Sequence, residues 1–228
     1  MSMPFYVAPE QVMKDRADYA RKNIARGRDL VALAYLDGIL ICAENPQQRL
    51  RKISEIHDRI GFAGVGKYNE FDQLRIAGVR HADLKGYSYS REDVDARSLA
   101  NQYAQILGQV LTHEMKPMEV EILVAEVGAN TGDDRMFRIF YDGTVVDEEH
   151  VTALGGEAET IMARLEEAWR ADLSLREALD IAKRSLTGPD RELTPAELEV
   201  AVLDRRAAGR TFRRIEGAEL DALVAAPD

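Results

Sequence analysis

Two β-rich segments, Leu30-Val31-Ala32-Leu33-Ala34-Tyr35 and Ile39-Leu40-Ile41-Cys42-Ala43, flank Leu36-Asp37-Gly38, whose Asp-Gly pair is a strong hairpin signal. Upstream, Met13, Ala17, Ala20 and Ile24 recur at helical spacing behind Pro9 and Glu10. That spacing predicts a helix of about 18 residues, closed by a left-handed cap at Gly27. Glu10, Asp15 and Asp18 lie early while Arg21, Lys22 and Arg26 lie late, the charge order a helix dipole favours. The residues ahead of it, Met1, Ser2, Met3, Pro4, Phe5, Tyr6, Val7 and Ala8, show no periodicity and read as an extended, mobile segment unless a partner orders them.

Downstream, strands at 52–56 and 60–65 precede a helix spaced by Phe71, Leu74, Val79 and Ala82. A capping box, Ser90-Arg91-Glu92-Asp93, then starts a long helix whose apolar stripe of Leu99, Tyr103, Ile106, Leu107, Val110 and Leu111 runs toward Pro117. Strands return at 119–127, 136–141, 144–146 and 151–154. Helices follow around Ile161, Leu165 and Ala168 and, behind the capping box Ser174-Leu175-Arg176-Glu177, around Leu179, Ala182 and Leu186. A loop at 187–195 leads to strands at 198–203 and 211–215 and a last short helix. Blocks of antiparallel strands alternating with pairs of helices do not suit a parallel βαβ fold. The pattern predicts an α+β layered sandwich, two facing sheets with helix pairs outside, in one domain.

The chain has 228 residues, 46% hydrophobic with 7 prolines, enough to bury roughly 70% of its unfolded surface and unlike a disordered or collagen-like polymer. Its single cysteine, Cys42, sits inside an apolar run and reads as a small buried hydrophobe rather than a reactive thiol. Thirty basic against forty acidic side chains leave a net charge of −10, which argues against nucleic acid as a partner. No run approaches the roughly 18 apolar residues of a membrane span, and the first residues lack the basic and apolar blocks of a signal peptide, so a cytoplasmic location is expected.

Gly61-Phe62-Ala63-Gly64-Val65-Gly66-Lys67-Tyr68 has the glycine and lysine spacing of a phosphate-cradling loop, but Tyr68 stands where a small hydroxyl must reach magnesium. The structural reading is that Gly61, Gly64 and Gly66 let a strand and the next helix pack closely; a nucleotide-binding enzyme using Lys67 is the alternative. His57, His81, His113 and His150 are dispersed, no Gly-x-Ser-x-Gly elbow is present, and the acidic runs read as solvated faces, so no metal, cofactor or catalytic set is expected. The basic group Arg21, Lys22, Arg26, Arg28, Arg49, Arg51 and Lys52 admits two readings. One is helix-end complementarity and solubility; the other is a surface that captures a carboxylate.

Pro9-Glu10-Gln11, Tyr19-Ala20-Arg21-Lys22, Ile24-Ala25-Arg26, Val31-Ala32-Leu33-Ala34-Tyr35, Ala43-Glu44-Asn45-Pro46 and Lys52-Ile53-Ser54-Glu55 resemble the α-type subunits of the proteasome core particle, especially the actinobacterial form. So do Gly66-Lys67-Tyr68-Asn69-Glu70-Phe71-Asp72, Glu119-Val120-Glu121 and Leu198-Glu199-Val200-Ala201-Val202-Leu203-Asp204, so that the resemblance covers nearly the whole chain.

That resemblance implies a four-layer αββα sandwich of the N-terminal nucleophile hydrolase type with an extra N-terminal helix: a gate segment at 1–8 and one domain at 9–228. It implies no catalysis. The family's β-type subunits expose a threonine at the head of the first strand, where this chain reads Gly27-Arg28-Asp29-Leu30, with arginine in the nucleophile position and Glu44 in that of its acidic partner. The implied work is to form seven-membered outer rings on β-type rings, gate entry of unfolded, pupylated substrates with residues 1–8, and dock a ring-shaped activating ATPase. Lys52 matches the lysine that pairs with the activator's terminal carboxylate between neighbouring subunits, and Arg21 and Gly27 match residues bordering that pocket. The Tyr-Asp-Arg stretch near the gate of archaeal and eukaryotic relatives is missing.

Overall fold

A computed structural model describes residues 8–47, 49–189 and 191–225. Pro9–Ile24 form helix α1, opened by proline in the first turn, where its missing N–H is no loss. The hairpin follows as β1, Leu30–Tyr35, and β2, Gly38–Glu44, in register from Leu30 opposite Ala43 to Tyr35 opposite Gly38. The two-residue loop is therefore Leu36-Asp37, and the unusual backbone falls one residue later, on Gly38 with φ 153°. A Cβ there would lie 1.9 Å from the Leu203 carbonyl oxygen, so only glycine lets this strand meet its neighbour.

Strands β3, Ile53–His57, and β4, Ile60–Gly66, lead into α2, Tyr68–Ser88, and α3, Ala96–His113. Then come β5, Val120–Glu126, β6, Arg135–Ile139, β7, Val145–Glu148, and β8, Val151–Leu154. Helices α4, Ala158–Ala168, and α5, Leu175–Thr187, precede β9, Leu198–Asp204, β10, Phe212–Ile215, and the short α6, Ala218–Val224. The strands make two five-stranded antiparallel sheets, ordered β10-β9-β2-β1-β8 and β3-β4-β5-β6-β7.

Side-chain alternation assigns each face. Leu30, Ala32, Ile39 and Ile41 point inward and meet Ala63, Leu123 and Ala125 of the other sheet. Val31, Leu33, Leu40 and Cys42 point outward under α4 and α5 residues such as Ile161, Leu165, Leu179 and Ala182. On the far side, Phe62, Ile122 and Val124 pack beneath Leu74, Leu99, Tyr103 and Leu107 of α2 and α3. Helices thus cover both outer faces, giving four layers, and strands covered on both faces read as unbroken apolar runs. Cys42 is fully buried, and burial pushes its thiol up to about 12, in keeping with a packing role. Among the described residues, no helix is long and apolar enough to cross a membrane.

Three local expectations are corrected. Gly27 is not a left-handed cap: α1 ends at Ile24, Ala25 keeps right-handed helical angles, and Gly27 has no positive φ. Ser90 caps only the 3-10 turn Arg91–Asp93, and α3 begins five residues later on Asp95, whose carboxylate accepts from the Ser98 N–H at 2.7 Å. Asp95 offers an ionised acceptor at the start of the apolar stripe, which outweighs the weaker Ser90 contact of 3.4 Å. Of the three glycines at 61, 64 and 66, only Gly64 admits the helix, since a Cβ there would come within 2.6 Å of Phe71; Gly61 faces Ile41 and Leu203 of the opposite sheet, and a Cβ on Gly66, with φ 103°, would come within 2.0 Å of the Glu119 carbonyl oxygen.

Tyr103 is fully buried, and among the described residues its hydroxyl has no hydrogen-bond partner. Burial raises its phenol far above the ordinary range. Tyr103→Phe removes that unsatisfied group and is expected to stabilise the chain by about 0.5 to 1.5 kcal/mol, read as a higher thermal midpoint. A lower midpoint would reveal a partner for the hydroxyl.

Candidate functional site

The site grows from the junction between α1 and β1. Past Ile24 the chain turns through N–H bonds from Ala25 to the Arg21 carbonyl and from Gly27 to the Ile24 carbonyl, both 2.9 Å. Gly27 presses against the end of β4: a Cβ there would stand 3.1 Å from both the Gly66 nitrogen and Val65. Arg28 and Asp29 then deliver the chain into β1.

Arg28 and Glu44 form an ion pair at 3.0 Å, and Arg191 grips the same carboxylate with both terminal nitrogens, at 3.0 and 2.6 Å. Glu44 is 4% exposed, so two guanidiniums neutralise a nearly buried charge that would be costly alone. This contact holds the Arg191 guanidinium above its ordinary pKa.

Lys52 donates from Nζ to the Arg28 carbonyl oxygen at 2.6 Å. Half-burial lowers its ammonium to about 8, while the carboxylates of Asp29, Glu199 and Glu44 oppose the fall. Its backbone is fixed by Glu199, a buried carboxylate on β9. Glu199 accepts from the N–H groups of Lys52 at 2.9 Å and Ile53 at 3.1 Å, from Asn45 Nδ2 at 2.7 Å and from Arg214 at 2.9 Å. Asn45 also donates to the Leu50 carbonyl at 2.9 Å, tying the 45–52 connection to the same point.

Lys52 and Gly27 are therefore brought together, since the lysine bonds to the residue that follows the glycine. Arg21, in the last turn of α1, stands beside Asp18 at 3.6 Å and 5.6 Å from the centre of the Tyr141 ring. Residues 1–7 lie outside the described residues; Ala8 is exposed, and its carbonyl accepts the Gln11 N–H at 2.9 Å. The 61–66 stretch is strand β4, hydrogen-bonded to β3 and β5, so its N–H groups form no phosphate cradle. Lys67 is turned to Glu70 and Glu119, at 3.5 and 3.9 Å. Among the described residues, no group of three or more His, Cys, Asp or Glu side chains is placed to hold a metal.

Sequence reasoning missed Glu199, Arg191 and Asp29 as parts of this cluster. Glu199 carried a signal, a lone charge within Leu198-Glu199-Val200-Ala201-Val202-Leu203; Arg191, in a loop without periodicity, carried none.

The Proteasome family profile, described as proteasome subunit, matches residues 24–203. A protein of Sanguibacter keddieii called proteasome subunit alpha is 59% identical over 232 residues, spanning all of this chain and 91% of its own length. One of the same description from Acidimicrobium ferrooxidans is 60% identical over 95% of this chain and 93% of its own. A third, from Kineococcus radiotolerans, is 57% identical over 99% of both. With the two-sheet sandwich and its extra leading helix, these likenesses carry one conclusion: the chain belongs to the proteasome family, among the α-type subunits of actinobacterial core particles.

Proposed function

We propose that this chain is a non-catalytic subunit that forms seven-membered outer rings on β-type rings in the cytoplasm, gates the proteolytic chamber and docks a ring-shaped activating ATPase. The observation that carries the reading is the Arg28–Glu44 pair. An arginine preceded by a continuous helix occupies the place where the family's catalytic subunits free a threonine, and its guanidinium neutralises the acid that would serve such a nucleophile. In this reading, residues 1–8 from seven copies close the axial entrance. Ordering eight residues costs on the order of 8 to 16 kcal/mol per chain before contacts offset it, which keeps such a plug displaceable. Lys52 receives the activator's terminal carboxylate, with Gly27 and Arg21 at the border, and unfolded, pupylated proteins pass through.

The test compares three preparations. The chain alone is expected to hydrolyse no fluorogenic peptide. Co-expressed with its β-type partner, it yields activity that depends on the partner's threonine. Deletion of residues 1–8 in that particle speeds degradation of an unfolded protein without altering the chemistry of peptide cleavage. Hydrolysis by the chain alone, or an unchanged rate after the deletion, would contradict the reading.

A further inference from the structure

Lys52 is held at three points by three different elements. Its N–H donates to Glu199 Oε2 of β9 at 2.9 Å, its carbonyl oxygen accepts the Gly64 N–H of β4 at 3.1 Å, and its Nζ donates to the Arg28 carbonyl oxygen at 2.6 Å. The first bond crosses between the sheets, because β9 belongs to one and β3, which Lys52 precedes, to the other. Glu199 is 3% exposed, and its two oxygens divide the work. Oε2 accepts from the Lys52 N–H and, at 2.7 Å, from Asn45 Nδ2, so it gathers both ends of the 45–52 connection. Asn45 donates onward to the Leu50 carbonyl at 2.9 Å. Oε1 accepts from the Ile53 N–H and from Arg214 of β10, whose guanidinium also binds the Ile53 carbonyl. A lysine on a loose connection must be ordered when a ligand arrives, whereas one fixed at its backbone and at its ammonium is ordered by folding itself.

We infer that Glu199 is a positioning residue of the docking site: by fixing the Lys52 backbone it sets where the ammonium stands, and with that the affinity for a terminal carboxylate. The inference rests on the docking role argued above. Position and charge predict opposite signs. Removing the Glu199 charge takes away an anion beside Lys52 and leaves Arg214 without its carboxylate, so charge alone would draw an incoming carboxylate more strongly. Releasing the Lys52 backbone lets the ammonium wander, which weakens docking of a free acid and leaves contacts with the rest of a ligand in place.

The experiment uses the assembled particle with its β-type partner. Rhodamine-labelled peptides copied from the last eight residues of the organism's own ring ATPase, as free acid and as C-terminal amide, are titrated by anisotropy. The readout is the ratio of the two affinities, since a general loss of folded protein lowers both alike. Glu199→Gln offers one acceptor oxygen where the parent offers two, and thermal unfolding checks that it folds. It is expected to bind the free acid about three- to tenfold more weakly, with the amide unchanged. Asn45→Ala cuts the link to the Leu50 carbonyl and leaves the Glu199 charge in place; a smaller fall in the same direction, about two- to fivefold, is expected. A folded Glu199→Gln particle that binds the free acid as tightly as the parent, or more tightly, overturns the inference while docking stands. So does Asn45→Ala with the parent's ratio, which decides the matter where the glutamine particle does not assemble. Equal binding of acid and amide by the parent, or full binding by Lys52→Ala, removes the docking role itself and this inference with it.

Discussion

Glu199→Ala is expected to lower the stability of the folded chain by about 3 to 5 kcal/mol, the scale on which removing one side of a buried charge network destabilises a protein. Four donors lose their acceptor together: the Lys52 and Ile53 N–H groups, Asn45 and Arg214. Arg214 retains the Ile53 carbonyl at 2.5 Å, but its charge stays half-buried without an anion. Glu199→Gln keeps an acceptor while removing the charge, and is expected to lose less. Urea unfolding measures both; a loss below about 1 kcal/mol for the alanine variant would show that the 45–53 connection stands without this carboxylate. The same substitution loosens the backbone that presents Lys52, so its effect on docking should exceed what charge alone explains.

The second large effect falls on Lys52 itself. Lys52→Ala is expected to weaken docking of the activating ATPase by about 1 to 3 kcal/mol, roughly five- to 150-fold, as for loss of a charge-assisted contact. Stimulation of protein degradation by the ATPase reads this directly, and undiminished stimulation would contradict the assignment. The substitution also has a stability signature. The folded chain holds this ammonium near 8 against an ordinary 10.5, so the unfolded chain binds more protons between those values. Lys52 therefore makes stability rise as the pH climbs from about 8 toward 10.5, and Lys52→Ala abolishes that increment. A parent chain whose stability shows no Lys52-dependent rise in this window would place the ammonium in ordinary solvent.

The elements were legible where side-chain period was strong. The β1–β2 hairpin, the α3 stripe and the Ser174 capping box of α5 all stand in the structure, because each combines an apolar pattern with a local hydrogen-bonding or turn signal. Local chemistry misled where tertiary contact decided. Gly27 is glycine because the end of β4 crowds it, which no turn rule contains. At the site, Lys52 and Glu44 were named from the resemblance, whereas Arg191, which grips Glu44, and Glu199, which holds the Lys52 backbone, come from distant segments. Glu44 and Arg191 stand 147 residues apart in the chain. Such pairings depend on how two sheets and α5 converge, and single-residue patterns do not encode that geometry.

The central claim is that a hydrolase-like sandwich serves here as a ring-forming entrance rather than a protease. The most direct measurement is electron microscopy of the chain co-expressed with its β-type partner, combined with labelling by a threonine-directed electrophile. The account predicts four stacked sevenfold rings with this chain in the outer pair and label confined to the inner pair. A particle without sevenfold rings, or label on this chain, would contradict it.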